Sequence, residues 1–396
     1  MYDRGHHIGQ KFKERFGVQP LLVRAPGRIN LIGEHTDYND GFVMPAAIDR
    51  EIVFAFGPST DGRTIIYADD VGEAVEIDLH SIRPDKRGGW INYLLGVIDR
   101  FQDRNIDVAP FWCLFGGNIP VGSGLSSSAA LECGFAYGLR ALSYAELSDE
   151  ELIRMAQWSE HNYAGVKCGI MDQFASVMGR KDQVLMLDCR DLSYRHLPFA
   201  PRDFKVVLFD SNVKHALATS GYNTRRSECE EGLSILQRDN PAIRSLRDVS
   251  QEEVEVRKNF FPDNVFKRLR YVTGEIARVQ AAARDLERND LIAFGAKMTE
   301  THRGLSELYE VSCAELDFLV ERLTTSPHVA GARMMGGGFG GCAIALVRPD
   351  AVSAIAESLG DAYRSTFGLE LTVHQVNLVD GTGLVPAPNP RQHNTN

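Results

Sequence analysis

No run of about eighteen apolar residues occurs in the 396-residue chain, so no membrane-spanning helix is expected. The opening MYDRGHHIGQKFKERFG has no apolar core and does not read as a secretory signal. Cysteine is sparse. Cys113, Cys133, Cys168, Cys189, Cys229, Cys313 and Cys342 are odd in number, scattered, and never spaced C-x-x-C. That pattern argues against a disulfide framework and a zinc site, and points to a reducing, cytoplasmic setting. Lysine and arginine form no run and the net charge is −10, so there is no electrostatic footprint for a nucleic-acid backbone. Acidity still permits a phosphate ligand, because Mg²⁺ and backbone N–H groups can hold one locally. Internal repeats are missing too, and low complexity is confined to the tail PAPNPRQHNTN, which is expected to fray.

Hydrophobic residues make up 44% and charged residues 24%, the balance of a soluble globular protein with length for two domains. A boundary is placed near the prolines Pro198 and Pro201, giving domains 1–200 and 201–385 and a tail 386–396. Patterning predicts a short helix over 11–16, strands at 21–24, 52–56, 64–68 and 74–79, a helix over 91–101 and a strand at 111–115. A helix should follow Ser128, and Ser148-x-x-Glu151 reads as a capping box opening another that runs to about Tyr163. Strands are expected at 184–187 and 204–209. The second half is helix-rich (223–238, 251–257, 263–288, 290–308, 312–324), then shows a strand at 342–347, a helix near 351–366 and a strand at 371–377. Helices and strands mix in both halves, which leaves an α+β or α/β class.

Pro120–Ala129, PVGSGLSSSA, combines small residues that admit a ligand close to the backbone with a helix start that offers free N–H groups. A Gly/Ser turn capping a helix has the same composition. The loop is not of Walker type, since the chain contains no Gly-Lys dipeptide, and H-R-D and D-F-G are also missing. Gly336–Gly341, GGGFGG, matches G-x-G-x-x-G, but a strand-like run follows it where a dinucleotide site requires a helix. Near the N-terminus Glu34, His35, Asp37, Asn39 and Asp40 crowd into seven positions. Such alternating donors and acceptors suit a polyhydroxylated ligand, although a solvated polar loop would read alike. Asp172 lies among Ile170, Met171 and Phe174 and needs a partner or a task. A carboxylate kept ionised by an arginine can take a proton from a hydroxyl nucleophile; a helix cap or a buried ion pair is the plain alternative.

RAPGRINLIGEHTDYNDG, PVGSGLSSSA, CGIMDQ, SGYNTRR and MMGGGFGG together resemble the GHMP family of small-molecule kinases, most closely its galactokinase branch. The resemblance spans nearly the whole chain and implies an α+β, two-domain architecture with the active site in the cleft between domains. It implies transfer of the ATP γ-phosphoryl group to the anomeric hydroxyl of galactose, with ATP and Mg²⁺ as cofactors and a monomeric enzyme with no nucleic-acid or membrane partner. Carried over residue by residue, Asp172 would be the catalytic base and Arg28 its partner and the transition-state stabiliser. Glu34, His35 and Asp37 would hold sugar hydroxyls, with Gly169 and Tyr222 closing the pocket. Gly122, Ser123, Gly124, Leu125, Ser126, Ser127 and Ser128 would wrap the ATP phosphates, with Gly336–Gly341 beneath them. Ser128 and Glu160 would ligate Mg²⁺, and Trp90 would lie near the adenine. Ser123 stands where such enzymes often carry alanine. A kinase for N-acetylgalactosamine or arabinose, or a non-catalytic galactose sensor, would share most of these motifs; the sensors carry a damaged GLSSSA segment, which is intact here.

Overall fold

The structure, a computed structural model, describes residues 4–120, 122–199, 201–214 and 218–385; the tail from 386 lies outside the described residues. Three sheets organise the chain. The largest has six strands in the order Gly383–Leu384, Leu21–Asn30, Pro45–Pro58, Phe111–Gly117, Thr64–Ala68 and Glu73–Ile77. All its neighbours are antiparallel except Thr64–Ala68 beside Phe111–Gly117. Side chains alternate across a strand, so this sheet presents two apolar faces. Val53, Ala55, Trp112 and Leu114 meet Ile8 and Phe12 of the helix Arg4–Phe16. Phe54, Phe56, Phe111 and Phe115 face the main core, where Phe135 of the helix Ser127–Leu142 packs among them.

A four-stranded antiparallel sheet, ordered Val329–Met334, Gly340–Val347, Lys205–Lys214, Thr372–Val376, carries the second half. Gly340–Val347 is buried along its entire length, which explains its continuous apolar run. A third, small sheet pairs Phe42–Val43, Gln183–Asp188 and Tyr194–Pro198. The mixed helix and strand content makes the protein α+β, as expected.

Most expected elements are present with longer bounds. The N-terminal helix is Arg4–Phe16 rather than 11–16, because burial of Ile8 continues its apolar stripe one turn back from Phe12. The first strand runs to Asn30, with a register shift between Pro26 and Arg28. The Ser148/Glu151 capping box forms with both reciprocal hydrogen bonds, and its helix Asp149–Ser159 passes into a single π-helical turn, Glu160–Ala164. Sequence patterning did not anticipate the helix Met171–Met178, the strands Tyr194–Pro198 and Val329–Met334, or the pairing of Gly383–Leu384 onto the first strand.

Candidate active site

The strand shift before Arg28 sets the site. There the Arg28 amide bonds to the Leu125 carbonyl at 3.1 Å, seating the serine loop against the first strand. Arg28 is 4% exposed, and its side chain grips Asp172 with two parallel bonds, Nε to Oδ1 at 2.8 Å and Nη2 to Oδ2 at 3.0 Å. Its remaining nitrogen, Nη1, donates to the Gly124 carbonyl. The Ser126 hydroxyl donates to Asp172 Oδ2. Three segments separated by long stretches of chain therefore meet at one carboxylate. Among the described residues Oδ2 accepts two hydrogen bonds, whereas Oδ1 accepts one. Burial opposes the Arg28 charge, but Asp172 and Glu34 outweigh it and raise the guanidinium pKa.

Within the serine loop Ser123 and Leu125 turn inward, Ser123 Oγ bonding the Pro120 carbonyl at 2.7 Å. Gly122, Gly124 and Ser126 adopt positive φ, and Ser126–Ser128 are half-buried. No side chain caps the helix Ser127–Leu142, so its first N–H groups stay free for an anion. The glycine run lies directly against this loop. A Cβ on Gly336 would stand 3.3 Å from the Gly124 oxygen, and one on Gly341 would stand 3.1 Å from the Ser123 oxygen.

The polar N-terminal cluster splits into distinct environments. Glu34 is 1% exposed and already bonded: Oε1 accepts from Arg333 Nη2 at 3.1 Å and from the Gly336 amide at 2.7 Å, and Oε2 from Asn30 Nδ2 at 2.8 Å. Burial pushes its pKa up, but Arg333 and Arg28 more than reverse this and hold it below the usual range. His35, at φ 63°, bonds Tyr38 Oη through Nδ1 at 2.8 Å; among the described residues its buried Nε2 makes no hydrogen bond of good geometry, although the Gly337 backbone lies close enough to raise the ring's pKa. Burial lowers the His35 pKa to about 4, so the ring is neutral at pH 7. Asp37 is half-buried; desolvation and then the Asp172 charge push it up to about 7. Its carboxylate rests on Gly169, where a Cβ would fall 1.8 Å from Oδ2, a space only glycine leaves open. Tyr222 packs its ring 5.4 Å from His35 and 5.5 Å from Tyr38.

Glu160 stands in the π-helical turn and is 5% exposed, and Ser128 lies near enough to lower its pKa against the rise that burial causes. Desolvation and the Asp172 charge push Glu160 up to about 7. Among the described residues, no group of three or more His, Cys, Asp or Glu could hold a metal unaided. A hydroxyl and a carboxylate are the hard oxygen donors Mg²⁺ uses when a nucleotide phosphate and water supply the other positions, so Ser128 and Glu160 fit that ion. Trp90 opens the helix Trp90–Asp103; it donates to Glu73 Oε2 at 2.8 Å and meets Phe115 edge-on at 5.3 Å. Its contacts are thus made there rather than with the Asp172 network.

Residue patterning did not single out Arg333, Asn30 or Gln173, which brace Glu34 and Glu160. The Arg in ARMMGGGFGG, fully buried, carried the only available signal for the first. For the others no spacing rule exists.

Comparison with known proteins gives one consistent result. Residues 10–58 match a galactokinase galactose-binding signature, 92–180 the GHMP kinases N terminal domain, and 282–365 the GHMP kinases C terminal family. The chain is 40% identical to a galactokinase of Roseiflexus sp. over 97% of its own length and 98% of the relative's. It is 41% identical to that of Thermotoga neapolitana over 91% of its length and 99% of the relative's. The crystal structure of Lactococcus lactis galactokinase complexed with galactose superposes with a TM-score of 0.92 at 35% identity, covering 96% of this chain and 99% of that one. Methanococcus jannaschii mevalonate kinase, at 16% identity and a TM-score of 0.65 over 91% of this chain and 99% of that one, shares the fold.

Proposed function

The chain belongs to the galactokinase family of GHMP kinases, and from that premise we propose that it transfers the γ-phosphoryl group of ATP to the C1 hydroxyl of galactose, yielding galactose 1-phosphate and ADP, the entry step of galactose catabolism. The observation that carries this reading is the Arg28–Asp172–Ser126 junction beside an uncapped helix start. Asp172 Oδ1, which accepts one hydrogen bond among the described residues, takes the C1 proton as the oxygen attacks the γ-phosphorus. Arg28 holds that carboxylate in place and faces the charge that develops on the transferred group. Asp37 and His35 Nε2 hold sugar hydroxyls, Glu34 contributes its remaining Oε2 lone pair, and Gly169 and Tyr222 close the pocket. Gly122–Ser128 wraps the nucleotide phosphates with the glycine run beneath. Trp90 lies toward the adenine. Mg²⁺, when bound at Ser128 and Glu160, supplies charge neutralisation on the phosphates. Positioning and charge stabilisation provide most of the rate, since the protein forms no covalent intermediate.

We also place the halves at 1–200 and 201–385, and the enzyme in the cytoplasm as a monomer. The intact serine loop and Asp172 support a catalyst over a sensor. A coupled ADP-release assay over galactose, talose, 2-deoxygalactose, N-acetylgalactosamine, arabinose and glucose tests the reading. Galactose should give the highest kcat/KM. A preference for N-acetylgalactosamine or arabinose would reassign the substrate, and no ADP release with any sugar would leave a sensor.

A further inference from the structure

Behind the proposed metal ligand Glu160 lies a buried amide that neither the base nor the sugar contacts explain. Gln173 follows Asp172 directly on the helix Met171–Met178, so the two side chains leave the helix about 100° apart. Asp172 reaches forward to Arg28 and Ser126. Gln173, which is fully buried, reaches the other way: Nε2 donates to Glu160 Oε2 at 2.7 Å and stands 3.4 Å from Glu132 Oε2. Glu132 is itself fully buried on the helix Ser127–Leu142, one turn beyond Ser128. Cys168 adds a longer contact, its sulfur 3.4 Å from Glu160 Oε2.

The amide orientation follows from its surroundings. Turned over, Gln173 would lose the N–H donation to Glu160 Oε2; as placed, it makes that bond at 2.7 Å. Among the described residues, this leaves Gln173 Oε1 buried without a partner, as is Glu132 Oε1.

We propose that Gln173 is a positioning residue for the divalent-cation site: it clamps Glu160 to the helix that bears Asp172 and to the helix that begins at the phosphate loop. The proposal rests on the kinase reading above and adds a role for a residue adjacent to the base. One helical turn thereby fixes the base with one side chain and the metal ligand with the next, so the cation and the proton acceptor keep a set separation. Partners that orient a metal ligand typically change metal affinity by about 10–100-fold when removed.

The test compares wild type with Gln173→Leu, which keeps bulk and loses the N–H donors, and with Gln173→Met as a second apolar replacement should the first fail to fold. Mn²⁺ binding to the full-length protein with a non-hydrolysable ATP analogue is followed by electron paramagnetic resonance, alongside the Mg²⁺ half-saturation of turnover. The expected result is a weakening of Mn²⁺ affinity of about tenfold or more, a matching rise in Mg²⁺ half-saturation, and a galactose KM within about twofold of wild type. Folded variants that bind Mn²⁺ as wild type does, or that lose galactose and Mn²⁺ affinity equally, would overturn the proposal. Should wild type itself fail to phosphorylate galactose, the kinase reading falls, and the Mn²⁺ titration still decides the role of Gln173.

Discussion

Gly169→Ala is a sharp probe of the sugar side of the cleft, because it perturbs Asp37 without touching the base or the phosphate loop. The added Cβ would lie 1.8 Å from Asp37 Oδ2 and 2.1 Å from its Cγ. Ordinary contact begins at about 3.4 Å, so the carboxylate must retreat by roughly 1.6 Å or the backbone must yield by as much. A hydrogen bond to a charged group contributes about 1.5–3 kcal/mol, and misplacement by about 1 Å in an active site costs up to a hundredfold. Galactose KM should therefore rise by about 10–100-fold, with ATP KM within about twofold of wild type. Steady-state kinetics with each substrate varied at saturation of the other measures both. A galactose KM within twofold of wild type, in a variant of unchanged thermal midpoint, would refute the placement of Asp37 against the sugar.

Three further expectations bear on the same centre. Asp172→Asn should lower kcat by at least about 10²-fold while galactose binding persists, since it removes the proton acceptor; turnover within a few-fold of wild type would exclude the base role. Ser126→Gly suits the φ of 57° and deletes only the hydroxyl on Asp172, so kcat should fall about tenfold, and an unchanged kcat would show that contact to be idle. Asp37, raised from 3.8 to about 7, carries a proton in the folded state between those values that the unfolded chain lacks. Its contribution to stability therefore grows as pH falls from 8 to 6, by about 1 kcal/mol, and vanishes above the folded value. Asp37→Asn should remove that gain in thermal melts, and an identical pH slope in both proteins would contradict it.

Much of the site is legible in the sequence. Asp172 and the serine loop stand out because each is chemically odd in its context, a carboxylate among apolar residues and a run of small residues before a helix, whereas Arg28 is marked only by the family resemblance. What sequence concealed is how the same atoms are shared. Ser126 was grouped with the phosphate loop, yet its left-handed backbone turns the hydroxyl onto Asp172. Glu34 read as a sugar ligand, yet most of its lone pairs are taken by Arg333, Gly336 and Asn30, partners up to 302 positions away. The missed strand Val329–Met334 owes its position to tight packing on a helix, Gly331 lying against Gly295, which small residues permit and hydrophobic periodicity does not report. Tyr194–Pro198 buries only Leu197, so it lacked an alternating signal. In contrast, Thr64–Ala68 alternates between buried and half-buried positions and was read with its observed bounds.

Phosphorus-31 NMR of the full-length protein incubated with ATP, Mg²⁺ and galactose addresses the central claim most directly. The account predicts one new phosphomonoester signal, coupled to the anomeric proton, growing in step with ADP. A phosphate on any other hydroxyl, or ATP hydrolysis to free phosphate without a sugar ester, would contradict it.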